Sequence, residues 1–303
     1  MAQSEVVVCT RNRPSDMERL LLNLASLSSV PPVLVIDSSD DQRTRQLVET
    51  TGQNPALRIR YAHTAAGLTL QRMEGVRRLA PETEVVHFVD DDVVLEPEYF
   101  SAMEGIFDEN LGVLGVGGLI TNLPAHRVNL TRQLFCLDSR AGGRVLRSGV
   151  NVLVFAADEP RTVDWLSGCS MSYRRSVFER LSFDLQMTGY SLGEDVDFSY
   201  RVGRVGRLVV TPNARLTHLC SPVERAASGE RAREAIVRRY HFVRQMRGDL
   251  KLTAFWWSVV GELVILVSKG VLRARRSSLI AAGNVALAAK DIFAAHRSGP
   301  EWT

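Results

Sequence analysis

The stretch Val85-Val86-His87-Phe88-Val89-Asp90-Asp91-Asp92 places three carboxylates directly after a short apolar run. A run of this length that ends in polar residues predicts a buried strand. Three adjacent carboxylates repel one another, and a bound cation commonly holds such a cluster. Carboxylate oxygens suit Mg²⁺ or Mn²⁺, and Mg²⁺ often joins one or two carboxylates to substrate phosphates. The stretch therefore predicts a metal site at a strand end, and a solvated acidic turn is the simpler alternative.

Other apolar runs upstream have the same form. Glu5–Cys9, Val33–Ile36 and Leu57–Tyr61 read as strands separated by helical patterns. Polar clusters follow the first two of these runs, at Thr10–Arg13 and Asp37–Asp41. Strands that alternate with helices predict a mostly parallel α/β sheet, in which ligands bind beyond the carboxyl ends of the strands. The polar clusters are therefore expected to meet the aspartates in one crevice.

Downstream of the aspartates the pattern is less regular. Gly112–Gly118 predicts a glycine-rich strand, Arg174–Leu181 a helix, and Arg207–Val210 and Ala214–His218 two late strands. Gly193-Glu194-Asp195-Val196-Asp197 opens a further helix, where acidic residues are favoured by the helix dipole. A carboxylate on such a rigid element is also suited to act as a general base.

The order of these pieces resembles the family 2 inverting glycosyltransferases of the GT-A fold, over about Val6 to His218. The resemblance lies in VVVCTRNRP, VLVIDSSD, GLTLQRMEGV, FVDDDV, WLSGCSMSYRRSVFERL and GYSLGEDVDFSYRVGRVGRLVVTPNARLTHL. In the third of these segments Gly67, Arg72 and Gly75 match the family pattern, and Met73 replaces the family's asparagine. Each motif alone is weak, but their order over about 210 residues is specific.

The resemblance implies a role for each matching position. Asp195 would be the catalytic base, with Glu194 beside it, and Asp90, Asp92 and His218 would hold Mn²⁺ or Mg²⁺. The residues expected to bind the nucleotide-diphosphate sugar donor are Thr10, Arg11, Arg13, Asp37, Arg72, Asp90 and Asp91. Those expected on the acceptor side are Trp165, Gly168, Cys169 and Ser170. The implied product belongs to cell-surface polysaccharide, glycolipid or related glycan synthesis.

Two other functions compete with this interpretation. Val85–Leu95 also fits the D-x-D pattern of haloacid-dehalogenase phosphatases, with Asp90 as nucleophile and Asp92 as acid/base. Such enzymes also need a downstream lysine, and none occurs between Asp92 and Lys251. An inactive sugar-nucleotide-binding protein is the non-enzymatic alternative, against which the intact acidic residues argue. A dinucleotide-dependent oxidoreductase is disfavoured because no G-x-G-x-x-G follows the first strand.

The C-terminal region differs in character, so we expect a catalytic domain over residues 1–222 and a lid with amphipathic helices over 223–303. Residues 219–235 are expected to close over donor and metal. Leu252–Leu272 is strongly apolar but contains Glu262 and Lys269, which argue against a membrane span. A helix lying in the membrane interface, anchored by Trp256, Trp257 and Arg273–Arg276, and a core helix pair both fit.

Composition limits the partners and the compartment. The 303 residues carry a formal net charge of +3, which does not suggest nucleic acid. The four cysteines have no metal-ligand spacing, and residues 1–8 lack the basic start of a signal peptide. We therefore expect a cytoplasmic enzyme with a glycan or lipid-linked acceptor. Peripheral membrane contact through residues 252–276 and a homodimer are the further partners that the C-terminal helices suggest.

Overall fold

The computed structural model describes residues 3–187, 191–221, 228–272 and 274–297. For residues 228–231 and 295–297 it describes the backbone only. The predicted lid falls partly on residues 222–227, and the predicted anchor cluster includes Arg273. Both of these positions lie outside the described residues.

The N-terminal part of the chain alternates strands and helices, as the apolar runs predict. Its elements are β1 (Ser4–Thr10), α1 (Pro14–Ser26), β2 (Val33–Asp37), α2 (Arg43–Thr51), β3 (Ile59–His63), α3 (Leu68–Arg77) and β4 (Val85–Asp90). The strands lie in the order β3-β2-β1-β4, and all three pairings are parallel. Helix α2 was not predicted, because it buries only Thr44 and Val48 and so shows little apolar periodicity.

The later strands turn the sheet into a mixed one. This part contains β5 (Val93–Leu95), α4 (Tyr99–Glu109), β6 (Val113–Ile120), α5 (Leu130–Leu134), β7 (Arg161–Val163), β8 (Ser170–Arg174), α6 (Glu194–Gly203) and β9 (Arg207–His218). The full order is β3-β2-β1-β4-β8-β6-β9-β5, with β7 on β9. β8 runs antiparallel between β4 and β6, while β6 and β9 are parallel. Strands β1–β4, β6 and β9 run in one direction, as expected for a mostly parallel sheet, and β5, β7 and β8 run against them.

Two local expectations need correction. The two late strands are one strand, β9, whose register with β6 shifts between Thr211 and Arg215. Pro212 lies in this break, where a residue without a backbone N–H is tolerated. The expected helix over Arg174–Leu181 is a short 3₁₀ helix, Arg175–Glu179.

The core lies on both faces of the sheet. In β1, Val6 and Val8 pack into one hydrophobic cluster and Val7 into the other, as the period-two geometry of a strand requires. Gly75 of α3 lies against β1, where an added Cβ would come within 2.5 Å of a Val7 methyl group. The glycine therefore lets α3 approach the sheet closely, and it sets the position of Arg72 on the same helix.

The chain divides into two compact units. The first comprises residues 1–125 and 153–225, and the second comprises residues 126–152 and 226–303. The sequence prediction assigned 126–152 to the catalytic domain, whereas the structure groups this segment with the C-terminal helices α7 (Ser228–Gln245), α8 (Leu252–Leu272) and α9 (Arg276–Arg297). Among the described residues, α8 is the one helix long and apolar enough to cross a membrane.

Candidate active site

The carboxyl ends of three neighbouring parallel strands lie side by side. In the register of the sheet, Thr10 of β1 is opposite Asp37 of β2, and Cys9 is opposite Asp90 of β4. The structure thus brings together the polar clusters that follow β1, β2 and β4. This is the edge of an α/β sheet at which ligands bind.

Asp91 and Asp92 are both buried, each with 2% exposure, and Asp91 lies against the turn that follows β1. It accepts hydrogen bonds from the Thr10 hydroxyl at 2.7 Å and from the Arg13 guanidinium at 3.1 Å. Burial raises the pKa of Asp91 to about 7, although Arg13 and Thr10 oppose the shift. Asp91 therefore connects the β1 turn to the β4 turn, and Asp90 is the most exposed of the three aspartates.

Asp90, Asp92 and His218 form a cluster suited to a metal ion. Each offers one ligand atom, and these atoms all lie within 4.8 Å of one another. His218 is brought here by the antiparallel pairing of β5 with β9, which sets it opposite Val93. Two carboxylate oxygens and an imidazole nitrogen suit Mn²⁺, so these three ligand atoms fit the expected metal ion.

Hydrogen bonds also connect the members of this cluster. His218 Nε2 lies 3.1 Å from Asp92, which also accepts the Ser221 N–H at 2.7 Å. Burial alone would raise the pKa of Asp92, but the bonds to His218 and Ser221 hold it below its usual value. Burial alone would lower the pKa of His218, yet Asp92 and the Cys169 thiol raise it to about 11. A metal ion bound at Nε2 would therefore replace a proton.

Arg72 was expected to contact the donor, but its side chain is 2% exposed. It forms an ion pair with Glu194, donates to the Gly168 carbonyl oxygen at 3.2 Å and lies 3.5 Å from Asp90. Burial alone would lower the pKa of Arg72, but Glu194 and Asp90 hold it above its usual value. In the structure Arg72 is a buried cation between the metal-type cluster and the start of α6.

Glu194 and Asp195 begin α6 beside this cation. Asp195 accepts hydrogen bonds from the Gly168 N–H and from the Val196 N–H, both at 2.9 Å. Burial raises the pKa of Asp195, and these two hydrogen bonds offset part of the shift. Burial also raises the pKa of Glu194, which Arg72 opposes. Glu194 Oε2 is buried with no hydrogen-bond partner among the described residues.

The backbone of Gly168 therefore connects two charged groups. Its carbonyl oxygen accepts from Arg72, and its N–H donates to Asp195. A Cβ at this position would lie 3.1 Å from the Arg72 guanidinium and 3.3 Å from Asp195 Cβ. The absence of a side chain lets both groups approach the backbone of Gly168.

The remaining donor-side positions differ in exposure. Asp37 has 0% exposure, and its carboxylate accepts from the Ser39 hydroxyl and from Tyr61 Oη at 2.9 Å. The Arg11 side chain is 41% exposed and lies 3.6 Å from Asp40. Arg11 is thus available to a ligand, whereas Asp37 in this conformation holds the turn after β2.

The positions expected on the acceptor side mostly face inward. Trp165 is 5% exposed, and Ser170 bonds to the Tyr99 hydroxyl at 2.7 Å and to the Gly118 N–H at 2.8 Å. Cys169 is buried and contacts His218. Gly168 lies against the carboxylates of α6.

Some residues at the site were not predicted. Asn122 pairs with the His218 backbone, accepting its N–H at 3.1 Å and donating to its carbonyl oxygen at 2.8 Å. Phe88 and Phe183 flank the Arg72 guanidinium at 5.9 and 5.5 Å. Asn122 follows a strand that runs parallel to β9, so the strand-end rule that selected Asp90 would also have selected it. No sequence signal marks the two phenylalanines.

Comparison with known proteins agrees with this geometry. A family model described as "Glycosyltransferase like family 2" matches residues 2–239. Among solved structures, GalNAc-T7 with UDP, GalNAc and Mn²⁺ is similar, with a TM-score of 0.63 and 16% identity over 80% of this chain and 48% of that one. This chain thus spans about half the length of that protein.

Two other solved structures match more of their own length. The mannosyltransferase PcManGT from Pyrobaculum calidifontis, with GDP-Man and Mn²⁺, has a TM-score of 0.61 and 14% identity over 95% of this chain and 86% of that one. S. aureus TarS 1–349 with UDP-GlcNAc has a TM-score of 0.55 and 17% identity over 93% and 79%. No curated protein matches the chain. The predicted GT-A fold is confirmed, and the dehalogenase alternative finds no support.

Proposed function

Because the chain belongs to the glycosyltransferase-like family 2, we propose that its site transfers a sugar from a nucleotide diphosphate to an acceptor hydroxyl, inverting the anomeric carbon. The observation that supports this most directly is the spacing of the two carboxylate groups around Arg72. Asp90 lies 3.5 Å from the guanidinium, and Gly168, which binds Asp195, lies 3.2 Å from it. A metal-bound diphosphate and a catalytic base would thus act within one polar cluster.

On the donor side, Asp90, Asp92 and His218 would hold Mn²⁺ or Mg²⁺. The ion would neutralise the charge that develops on the leaving diphosphate. Thr10, Arg13 and Asp91 form the wall next to this cluster, and Arg11 reaches solvent there. The Mn²⁺ complexes of GalNAc-T7 and PcManGT support this assignment by analogy of fold.

On the acceptor side, Asp195 would accept the proton of the attacking hydroxyl. Its burial raises its pKa and so its basicity, while the Gly168 N–H fixes one carboxylate oxygen. Glu194 Oε2, buried and without a partner among the described residues, could accept a second hydrogen bond from a substrate. A single displacement on the face opposite the diphosphate inverts the anomeric carbon.

The proposed acceptor is argued from the C-terminal helices and not from the residues of the site. We propose a glycan or lipid-linked acceptor in cell-surface polysaccharide or glycolipid synthesis, used on the cytoplasmic side of a membrane. The apolar helix α8 supports contact of the enzyme with that membrane. A homodimer through the same helix is the competing assembly.

A thermal-shift panel of UDP, GDP, dTDP and CDP, each with Mn²⁺, Mg²⁺ or EDTA, tests the proposal. A nucleotide at one hundred times its dissociation constant adds about 2.7 kcal/mol, so the matching product should raise Tm by several degrees. The shift should require metal and be lost in Asp92→Asn. The matched control is Asp158→Asn, an exposed acidic residue of the first unit, which should keep the shift.

Two results would count against the proposal. If no nucleotide stabilises the protein with either metal, the site does not bind such a donor. If a nucleotide binds but the protein neither transfers nor hydrolyses the sugar with Mn²⁺, the inactive sugar-nucleotide-binding protein becomes the better description.

A further inference from the structure

Charge is divided unevenly between the two compact units. The second unit contains 18 Lys and Arg against 7 Asp and Glu, a formal net charge of +11. The first unit contains 19 Lys and Arg against 27 Asp and Glu, a formal net charge of −8. The net charge of +3 for the whole chain hides this contrast. A strongly basic unit favours a partner with a negatively charged surface.

Helix α8 in the basic unit exposes a row of apolar side chains that a helix of a water-soluble protein would normally bury. The positions in this row recur every three or four residues, and their side chains are Trp257, Val260, Val264, Val267 and Val271, exposed by 44 to 68%. Two of its polar residues face inward, while Thr253, Ser268 and Lys269 are exposed. Ser258 has 0% exposure, and Glu262 forms an ion pair with Arg239 at 2.8 Å. A helix that meets water buries its apolar face instead.

Helix α9 shows the same tendency. Leu279, Ile280, Leu287 and Phe293 on this helix are 45 to 59% exposed. Close packing within the unit uses glycine, since a Cβ on Gly270 of α8 would lie 2.4 Å from a Leu279 methyl group. The exposed apolar side chains are therefore left over after α8 and α9 have packed on each other.

Two surfaces could cover this face of α8, a second copy of the chain or a lipid bilayer. A dimer through this face would bring together two units of charge +11, which repel each other at ordinary ionic strength. A bilayer with acidic headgroups supplies both an apolar layer for the valines and negative charge for the arginines. The unit's charge therefore favours the bilayer.

The packing also decides how α8 meets the bilayer. Its inner face lies against α7, which contributes Arg239 to the ion pair with Glu262 and carries further arginines such as Arg244. A helix with such a neighbour does not enter the hydrocarbon as a single span. Only the outer face of α8 can be inserted, so the helix lies along the membrane surface.

We infer that the outer face of α8, formed by Trp257, Val260, Val264, Val267 and Val271, binds the headgroup region of a membrane rich in acidic phospholipids. The inference identifies the surface that makes the membrane contact suggested above. Its biological meaning rests on the proposed function. It places the enzyme where an acceptor carried on a lipid would be available.

Vesicle flotation of the full chain tests the inference. The protein should float with vesicles of phosphatidylcholine and phosphatidylglycerol at low salt, and less with phosphatidylcholine alone or at high salt. The double variant Val260→Gln and Val264→Gln should weaken binding by roughly tenfold or more, because it removes apolar surface from the inserted face. The matched control is Val205→Gln, a valine of the first unit that is 64% exposed, which should bind as the wild type does.

Three outcomes would overturn the inference. They are no flotation with acidic vesicles at low salt, equal flotation of the double variant and the wild type, and a stable dimer in solution that the double variant dissociates. Flotation that depends on these valines, in a protein that no nucleotide stabilises, would support the inference and remove the proposed function. The two proposals can therefore fail separately.

Discussion

The Asp90–Asp92 turn and the Glu194–Asp195 start of α6 hold the same kind of group in two different ways. In the first cluster, Arg13 and His218 each bind one carboxylate at the edge, and Asp90 remains partly exposed toward the other ligands. In the second cluster, a buried guanidinium from Arg72 occupies the centre. The first arrangement can accept an ion from solution, whereas the second has a permanent cation supplied by the chain.

This difference predicts that the first cluster binds ligands and that the second cluster supports the structure of the site. A replaceable cation lets the first cluster respond to metal and nucleotide together, since both arrive from solution. A built-in cation opposes the effect of burial on the pKa of Glu194, and it binds the backbone of Gly168, which donates to Asp195. Substitutions in the first cluster should therefore change ligand binding, and those around Arg72 should change stability and catalytic geometry.

The largest effect is expected for Asp195→Asn. Loss of a general base lowers the transfer rate by about 10²–10⁴-fold. The metal-dependent nucleotide shift in Tm should persist, because Asp195 contacts Gly168 and not the metal-type cluster. Transfer assays with the donor found by thermal shift measure the first quantity. Transfer at the wild-type rate would show that another group takes the proton.

Arg72→Met should be the most destabilising change. It leaves Glu194 buried without its cation, and breaking a buried pair costs about 3–5 kcal/mol. Denaturant unfolding at several pH values measures the loss. Burial already raises the pKa of Glu194 to about 8 in the wild type, and loss of Arg72 raises it further, so the variant loses additional stability as pH rises above that value. The deficit should therefore be larger at high pH than at low pH.

Arg72→Lys serves as the conservative control for this change. Lysine keeps the positive charge but lacks the planar guanidinium group. The variant should therefore recover part of the lost stability, but it should not restore the hydrogen bond to Gly168. Equal stability of Arg72→Met and the wild type at neutral pH would contradict the role of Arg72 as a permanent cation.

Gly168→Ala tests the glycine whose backbone binds both Arg72 and Asp195. Its Cβ would press on Arg72 and Asp195, and such overpacking costs about 1–3 kcal/mol. We expect kcat to fall more than the donor KM rises, since the metal-type cluster is not touched. The matched control is Gly105→Ala in α4, where a Cβ meets nothing within 4 Å and helix propensity favours alanine by up to about 1 kcal/mol. A wild-type kcat in Gly168→Ala would show that the close approach does not matter.

The smallest effect is expected outside the site, at Glu5, which provides a baseline for a buried carboxylate with no metal role. Burial alone would raise its pKa, but hydrogen bonds from the Thr83 hydroxyl and the Ala80 N–H hold it below its usual value. This stabilisation is present above the unfolded pKa and is lost as pH falls through the folded one. Glu5→Gln should cost about 1 kcal/mol at pH 7 and less toward pH 3, as measured by urea unfolding. A pH-independent cost would show that charge is not involved.

The sequence alone predicts the N-terminal half of the fold well, because β1, β2 and β4 are short apolar runs that end in polar clusters. Strand pairing in the other half is not visible locally. Nothing near Ser170 indicates that β8 runs antiparallel between β4 and β6, or that Gly115 packs on Tyr173. Strand pairing depends on contacts between residues more than fifty positions apart in the chain, and a local sequence pattern does not contain them.

The same limit applies to the site. Asp90, Asp91 and Asp92 stand out from their charge and position, but His218 joins them only through the pairing of Val93 with β9. Family resemblance supplied that link, which spacing could not. The inward position of Arg72 and Ser170 was missed because a motif gives the residue type and not the direction of the side chain. The roles expected for Trp165 and Asp37 remain predictions.

The second compact unit is assembled from segments that are far apart in the chain. Phe135 packs against Trp257, with ring centroids 4.9 Å apart. It also fills the space over Gly261, where an added Cβ would lie 2.2 Å from the Phe135 side chain. During synthesis at about 5–20 residues per second, Phe135 leaves the ribosome roughly 6–25 s before Gly261 does. The segment 126–152 must therefore remain unassembled on the nascent chain while the strands on both sides of it are completed.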